Sequence, residues 1–370
     1  DQAVSPRGAY RHGARYAFKD LTRHLNLMIN GDINFANLET VVTDNNRIPP
    51  APKRFRFKSH PIGVRHLVDI GFNAFSLANN HAIDFGLRGM TDTLRHLEPL
   101  KAHGLRLAAG LGRGSDATAP SLTTVRRATI ALSAVGIGGR GPTETRVGMA
   151  NYRSDTAFAD TLRRLKAAKS DYRIFSAHYG PERVVRPSAN AVEKFRDRVV
   201  RDGDIDLVLG HHAHVAAGVQ RVGDKIIFYG LGNLLHPGMR NMNKFNRCRD
   251  YGLLARLYLT RRKPDGRLIA RAIQVIPLDN MHLRVRARRG RDGQSRIEVL
   301  NYLARGLDHT ASGARGIRFV PQDDGTGLYC TPEAIAAGGP LGKLCSGWQE
   351  PAAMTGRTLS SVAYALSLIH

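Results

Sequence analysis

Short apolar runs alternate with longer amphipathic stretches through most of this chain. Six runs are rich in β-formers: "LNLMINGD" (25–32), "NAFSLANN" (73–80), "ATIALSAVGI" (128–137), "RIFSAHYG" (173–180), "DLVLGHH" (206–212) and "KIIFYGLG" (225–232). Most of them close on Gly, Asn, Asp or His, and the pattern predicts buried strands. Between them, 61–71, 89–104, 154–169 and 190–203 carry apolar residues at helical spacing, as with Leu94, Leu97 and Leu100. Ser154 or Asp155 would cap one helix, and Gly71, Gly104 and Gly203 would stop three others. Strand and helix in alternation predict an α/β layered fold. The runs at 252–260 and 271–279 follow each other without a helix. They predict a hairpin, so the sheet is mixed or doubled. Beyond residue 283 the pattern weakens. Residues 283–296 read as an exposed strand and turn, and 312–327 as loop. The expected organisation is one domain over 1–282, with 283–370 as a C-terminal extension on or beside it.

Composition narrows the picture. The chain has 370 residues, 42% of them apolar, enough to bury a core in one large domain or two ordinary ones. A formal net charge of +24 would attract polyanions such as nucleic acid, anionic headgroups or an acidic polymer. Charge alone does not choose among them. No run reaches the roughly 20 apolar residues needed to span a bilayer. The sequence starts on Asp1 without a basic-then-apolar leader, and the expectation is that an N-terminal piece has been removed. The three cysteines, Cys248, Cys330 and Cys345, have no metal-ligand spacing. In an oxidising compartment Cys330 and Cys345 can close a small loop, and unpaired thiols are equally compatible with the spacing.

The polar residues that close the strands are chemically alike. Ligands of open α/β sheets bind beyond the carboxyl ends of strands, where such residues converge. "GDINFANLET" (31–40) offers Asp32, Asn37 and Glu39, hard oxygen donors for a divalent ion. "SLANNHAIDFG" (76–86) offers Asn79, Asn80, His81 and Asp84. Asp84, three residues past His81, can hold the ring's second nitrogen. "SAHYGPE" (176–182) adds His178 and Glu182. In "LVLGHHAHVAAG" (207–218), His212 and His214 are two apart and would face the same side of an extended backbone. Gly230, Gly232 and Asn233 in "FYGLGNLL" would line a pocket floor, with Asn233 as a polar contact.

Taken in order, "GDINFANLET", "SLANNHAIDFG", "AHYGPE", "GHHAHV" and "YGLGNLL" resemble the CapA family of capsule-synthesis proteins. That family is associated with bacterial poly-γ-glutamate capsules and is similar to calcineurin-like metallophosphoesterases. The resemblance covers about residues 20–260. It implies a four-layer α/β/β/α sandwich with a metal site at its rim. It assigns metal-ligand roles to Asp32, Asn80, His178, His212 and His214, and the acid's role to His81 with Asp84 behind it. Asn37, Glu39, Asn79, Glu182 and Asn233 are left as substrate contacts. Family members usually carry an earlier strand ending in Gly-Asp; here either Asp1 is the remnant of that motif or the motif lies upstream of it, and the expectation in both cases is a sheet without its first strand and part of its metal site.

The function expected is a metal-dependent hydrolase acting on an anionic envelope polymer, poly-γ-glutamate or similar. Two divalent ions (Mn, Fe or Zn) would polarise a phosphoryl or acyl oxygen and lower the pKa of bound water. Capsule-synthesis membrane proteins are expected partners, and the location is the cell envelope, extracytoplasmic or membrane-associated. A rival reading is a non-catalytic polymer-binding or assembly component, with the Arg-rich 283–296 segment as the polymer's holder. Nucleic-acid phosphoester hydrolysis ranks last, because no aromatic-plus-basic platform and no DNA-binding helix pattern is evident.

Overall fold

The computed structural model describes residues 18–25, 27–236, 251–262 and 265–351. Asp1 and Cys248 lie outside them. The chain divides into two compact units. The first is residues 1–179 with 235–239 and 282–284; the second is residues 180–234, 240–281 and 285–370. The fold is mixed α/β in both.

The first unit begins with α1 (Phe18–Thr22). Residues 25–32, expected as a strand, form no strand: the amides of Met28 and Ile29 turn back onto the carbonyl of Leu25. Leu21, Leu25 and Ile29 are buried at intervals of four, while Leu27 is 86% exposed. That is helical rather than alternating burial. The first strand is β1 (Phe35–Asn37), followed by β2 (Val41–Val42) and β3 (Lys58–Ser59), which pair with each other. Helix α2 (Pro61–Asp69) leads to β4 (Ala74–Ser76), and α3 (Gly86–Leu97) leads to β5 (Leu107–Ala109). Strands β1, β4 and β5 form a parallel sheet in the order 1-4-5. Gly71 and Gly104 adopt positive φ, 112° and 110°, at the ends of the two helical segments, as their position predicts.

Strand β6 (Leu111–Gly112) pairs antiparallel with β9 (Gly148–Met149). Between them, β7 (Ser121–Val125) and β8 (Ala128–Gly136) form a hairpin. Then α4 (Asp155–Ala167) connects to β10 (Tyr172–His178), which lies parallel to β8. Ser154 caps α4 through the amide of Ala157. The helix buries Phe158, Thr161, Leu162 and Leu165, a stripe at i, i+3, i+4, i+7. A full side chain of this kind contributes about 1.5–3 kcal/mol on burial, so Leu165→Asp would detach the helix. β8 is buried at eight of nine positions, the continuous burial of a strand covered on both faces.

The second unit opens with α5 (Ala189–Glu193), prolonged by a wider helical segment over Lys194–Asp202. The stop at Gly203 has φ −74°, and the left-handed residue is Asp204. Its carboxylate meets Lys225 and Arg267. Strands β11 (Leu207–His211), β12 (Val219–Val222) and β13 (Lys225–Phe228) follow, with β13 parallel to β11 and antiparallel to β12. The expected hairpin is present: β14 (Gly252–Arg261) runs antiparallel to β15 (Leu268–Asp279) with a bulge at Tyr258/Leu259.

The C-terminal part is built into this unit. β16 (Arg286–Ala287) pairs with β15, β17 (Ala314–Gly316) with β12, and β18 (Val320–Pro321) with β19 (Gly327–Cys330), itself on β15. Residues read as strand, turn and loop therefore contain α6 (Gly290–Ala304), which buries Ile297, Leu300 and Ala304, and three short strands. The Asn301 amide donates to the Phe319 carbonyl and accepts from the Phe319 amide, fixing the loop beyond β17 on α6. Helices α7 (Pro332–Ile335) and α8 (Gly339–Cys345) close the described chain, tied by a Cys330–Cys345 disulfide. Among the described residues no helix is long and apolar enough to cross a membrane.

Candidate metal centre

In the first unit the segments after β1, β4 and β10 bring seven expected residues together: Asn37, Glu39, Asn79, Asn80, His81, Asp84 and His178. Glu39 sits at the middle. Its Oε1 is 3.5 Å from His178 Nε2 and 4.0 Å from His81 Nε2. Its Oε2 accepts from Asn37 Nδ2 at 3.0 Å. His178 is fully buried, and its Nε2 donates to Asn80 Oδ1 at 2.7 Å while Asn37 Nδ2 reaches its Nδ1 at 3.5 Å.

His81 is oriented from behind. Its Nδ1 lies 2.6 Å from Asp84 Oδ2, and Asp84 has no exposed surface. A carboxylate there fixes the proton on Nδ1 and turns Nε2 toward Glu39. Asn79 is a brace: its amide donates to the Leu38 carbonyl and Asn37 Oδ1 and accepts from the His81 amide. Those bonds lock the loop that presents Asn80 and His81.

Two residues that the sequence reading did not single out complete this arrangement. Lys53 Nζ donates to Asp84 Oδ1 at 2.5 Å and to the Asn80 carbonyl at 2.6 Å. The Phe57 amide donates to Asp84 Oδ2 at 2.6 Å, and its ring covers His81 with centroids 4.0 Å apart. The edge of His236 meets the same Phe57 ring at 5.3 Å. The signal available was "KRFRFK" (53–58), where basic and aromatic residues alternate at the period of a strand just before β3.

Asp32 is not brought to this group. It precedes β1, its carbonyl binds Asn73 at the start of β4, and its carboxylate pairs with Arg126 at 2.7 Å. Asn37 is the last residue of β1 and Glu39 follows it, so the carboxylate that faces the imidazoles is Glu39. β1 begins three residues past Asp32, where the strand expected over 25–32 was to end.

In the second unit, His211 ends β11 and is buried, which pushes its pKa down to about 3. The ring is neutral at ordinary pH. The extended geometry expected for the next histidines is absent: His212 has φ +89° and His214 φ +56°. Two non-glycine residues in the left-handed region mark a strained turn, the kind that clusters at functional sites. Their rings lie 6.1 Å apart between centroids. His214 Nδ1 donates to Asn233 Oδ1 at 2.9 Å, and Asn233 Nδ2 returns a bond to the His214 carbonyl. That leaves the ring's Nε2 as the ligand atom. Gly232 and Gly252 bridge two strands directly, and a Cβ on Gly252 would sit 1.8 Å from the Asn233 carbonyl oxygen. Only glycine lets β14 start against the residue that holds His214. Glu182 is exposed on the loop after Gly180.

The donor types are those that hold a divalent ion. In the first unit the Glu39 carboxylate faces the His178 imidazole beside the Asn80 amide oxygen, a nitrogen-and-oxygen set suited to Zn, Mn or Fe. The second unit carries its own imidazoles, His212 and His214, of which His214 is oriented by Asn233.

A family model described as bacterial capsule synthesis protein PGA_cap matches residues 2–237, well over half of the chain. The chain belongs to this family. Three relatives carry similar sequences. The capsule biosynthesis protein CapA of Bacillus anthracis is 24% identical over 229 residues, 61% of this chain and 54% of its own length. The PGA biosynthesis protein CapA of Bacillus subtilis (strain 168) is 27% identical over 244 residues, 66% and 60% respectively. A probable polyglutamine synthesis accessory protein of Mycobacterium tuberculosis is 28% identical over 312 residues, 79% of this chain and 76% of its own length. The chain thus spans a little over half the length of the two Bacillus relatives. Both sides of each histidine cluster described above fall inside the matched family region.

Proposed function

We propose that this family member is a metal-dependent hydrolase acting on a poly-γ-glutamate-like anionic polymer during capsule or envelope assembly. The observation that carries the reading is the Lys53–Asp84–His81–Glu39 chain beside Asn80 and His178. A buried carboxylate that aims an imidazole at a donor cluster is an arrangement for moving a proton.

Glu39, Asn80 and His178 would hold a divalent ion, and His212 and His214 are imidazole donors of the second unit. Such an ion supplies Lewis-acid polarisation of an acyl or phosphoryl oxygen. The protein's own residues supply the rest. Asp84 stabilises the charge that appears on His81 when the ring takes up a proton. His81 gives that proton, from Nε2, to the departing amine or alcohol. Lys53 holds the Asp84 carboxylate and the Asn80 carbonyl together behind His81. Phe57 covers one face of the ring against water. The net charge of +24 draws a polycarboxylate toward the protein. Membrane proteins of capsule synthesis are the expected partners. The Cys330–Cys345 disulfide supports an extracytoplasmic location, because such bonds persist in oxidising compartments.

The test is turnover of poly-γ-glutamate and of a generic phosphodiester by the purified chain loaded in turn with Mn, Fe and Zn. His81→Ala should abolish product release and leave metal content unchanged. Wild-type protein that binds polymer but releases no product with any of the three ions would overturn the hydrolase reading in favour of an assembly role.

A further inference from the structure

Lys53 and Phe57 turn inward onto Asp84 and His81, and the three residues between them turn outward. Arg54, Phe55 and Arg56 are exposed, Phe55 by 59%. Among the described residues neither guanidinium meets a carboxylate; Arg54 instead lies 5.1 Å from the centroid of the Phe55 ring. The Arg-rich stretch 283–296 is different. Arg286 and Arg288 both pair with Asp279, Arg284 pairs with Asp20, and Arg296 is buried against Tyr251. Those four cations are committed to the fold, while Arg289 and Arg291 of the same stretch are exposed but adjoin none of the residues that touch His81 or Asp84. The cations of the strap formed by residues 53–57 are both exposed and next to such residues. One to three residues separate them from the groups that touch His81 and Asp84, a chain span of about 10 Å at most.

We propose that Arg54, Phe55 and Arg56 form a docking subsite for a linear polycarboxylate chain that leads its next linkage toward His81. Guanidinium groups pair with carboxylates in a planar, two-bond geometry that an ammonium does not match. A γ-linked glutamate chain carries one carboxylate per unit, and two backbone methylenes separate it from the next amide. Arg54 and Arg56 take successive carboxylates, and the Phe55 ring takes the methylenes between them. A nucleic acid is the competing polyanion, since the second face of Phe55 could stack a base, and single-stranded DNA is therefore the comparison ligand in the test. The choice of polymer rests on the reading under Proposed function; the placement of the subsite rests on the strap.

The experiment is equilibrium binding of poly-γ-glutamate to the full chain at near-physiological salt, with no turnover required. The double substitution Arg54→Ala/Arg56→Ala is compared with Arg106→Ala/Lys169→Ala. The control pair is equally exposed and precedes β5 and β10, at the strand ends away from Asn79 and His178. We expect the strap variant to bind about tenfold more weakly and the control pair less than about twofold. Phe55→Ser should weaken binding about threefold with no change in its salt dependence. Equal losses in the strap and control variants would overturn the proposal, because only net charge would then matter. Loss of single-stranded DNA affinity without loss of poly-γ-glutamate affinity would also overturn it, in favour of a nucleic-acid site. A strap-specific loss in a protein that hydrolyses nothing would keep the docking subsite and remove the hydrolase reading alone.

Discussion

His81 in the first unit and His214 in the second are both aimed through Nδ1, yet by different means. His81 is held by a fully buried carboxylate that itself takes bonds from Lys53 and the Phe57 amide. His214 is held by the neutral amide of Asn233, on a backbone strained into the left-handed region. A carboxylate fixes the ring it supports with a charge-assisted bond, whereas an amide orients it with a neutral one. The first imidazole is set against a buried charge, and the second against a neutral dipole.

The strongest way to break this contrast is Asp84→Ala. It leaves the Lys53 ammonium and the His81 ring without their shared partner. Breaking such a buried pair costs about 3–5 kcal/mol, which denaturant unfolding will show, and turnover should fall by about 10²–10⁴. Asn233→Leu should behave differently: a metal affinity about 10–100-fold lower by competitive titration, with thermal stability little changed. If Asn233→Leu destabilises the protein as much as Asp84→Ala does, the two histidines are held alike and the distinction fails. His212→Gly should raise stability, by about 1 kcal/mol, because glycine accepts a φ of +89° without strain. The same substitution removes an imidazole and so lowers metal affinity; a variant that loses stability would show that the turn is not strained.

The smallest effect is one of pH. Burial alone would raise the pKa of Asp160, but bonds from Thr118, Arg164 and Arg163 outweigh it and bring the carboxyl down to about 2 from 3.8. A folded-state pKa below the unfolded value gives stability that is full above pH 3.8 and is lost as pH falls through about 2. The carboxylate is partly open to solvent, so screening leaves on the order of 0.5 kcal/mol. Asp160→Asn should flatten the acid limb of the unfolding curve by that amount, and an unchanged limb would remove Asp160 from the account.

The strands most legible in the sequence were those with continuous apolar runs, β8, β10, β11 and the β14–β15 hairpin. In β8, β10 and β11, burial on both faces leaves that mark directly. The segment at 25–32 misled because its apolar residues satisfy a strand count when taken alone. The period of four becomes visible only when Leu21 is included. Helix α6 was hidden because its polar, Gly-containing first turns occupy the Arg-rich window, and its buried apolar stripe begins at Ile297, just beyond it. Within the site, the strand-end polar residues were readable as a group, since the carboxyl ends of parallel strands gather whatever follows them. Asp32 falls before β1 rather than at the end of a strand. Lys53 and Phe57 flank an alternating stretch, but their roles come from a long-range fold-back onto Asp84 that no local pattern encodes. The tight turn at His212 was equally silent, because positive φ in a histidine has no compositional signature.

The sulfur bridge between Cys330 and Cys345 makes the protein a recorder of its own history. The sequence holds three cysteines. A chain folded where thiols stay reduced would take up two more alkyl labels, at Cys330 and Cys345, than one matured under oxidising conditions. Counting labels on protein recovered from its native cell would thus report the side of the membrane on which it matured, independently of anything it binds or cleaves.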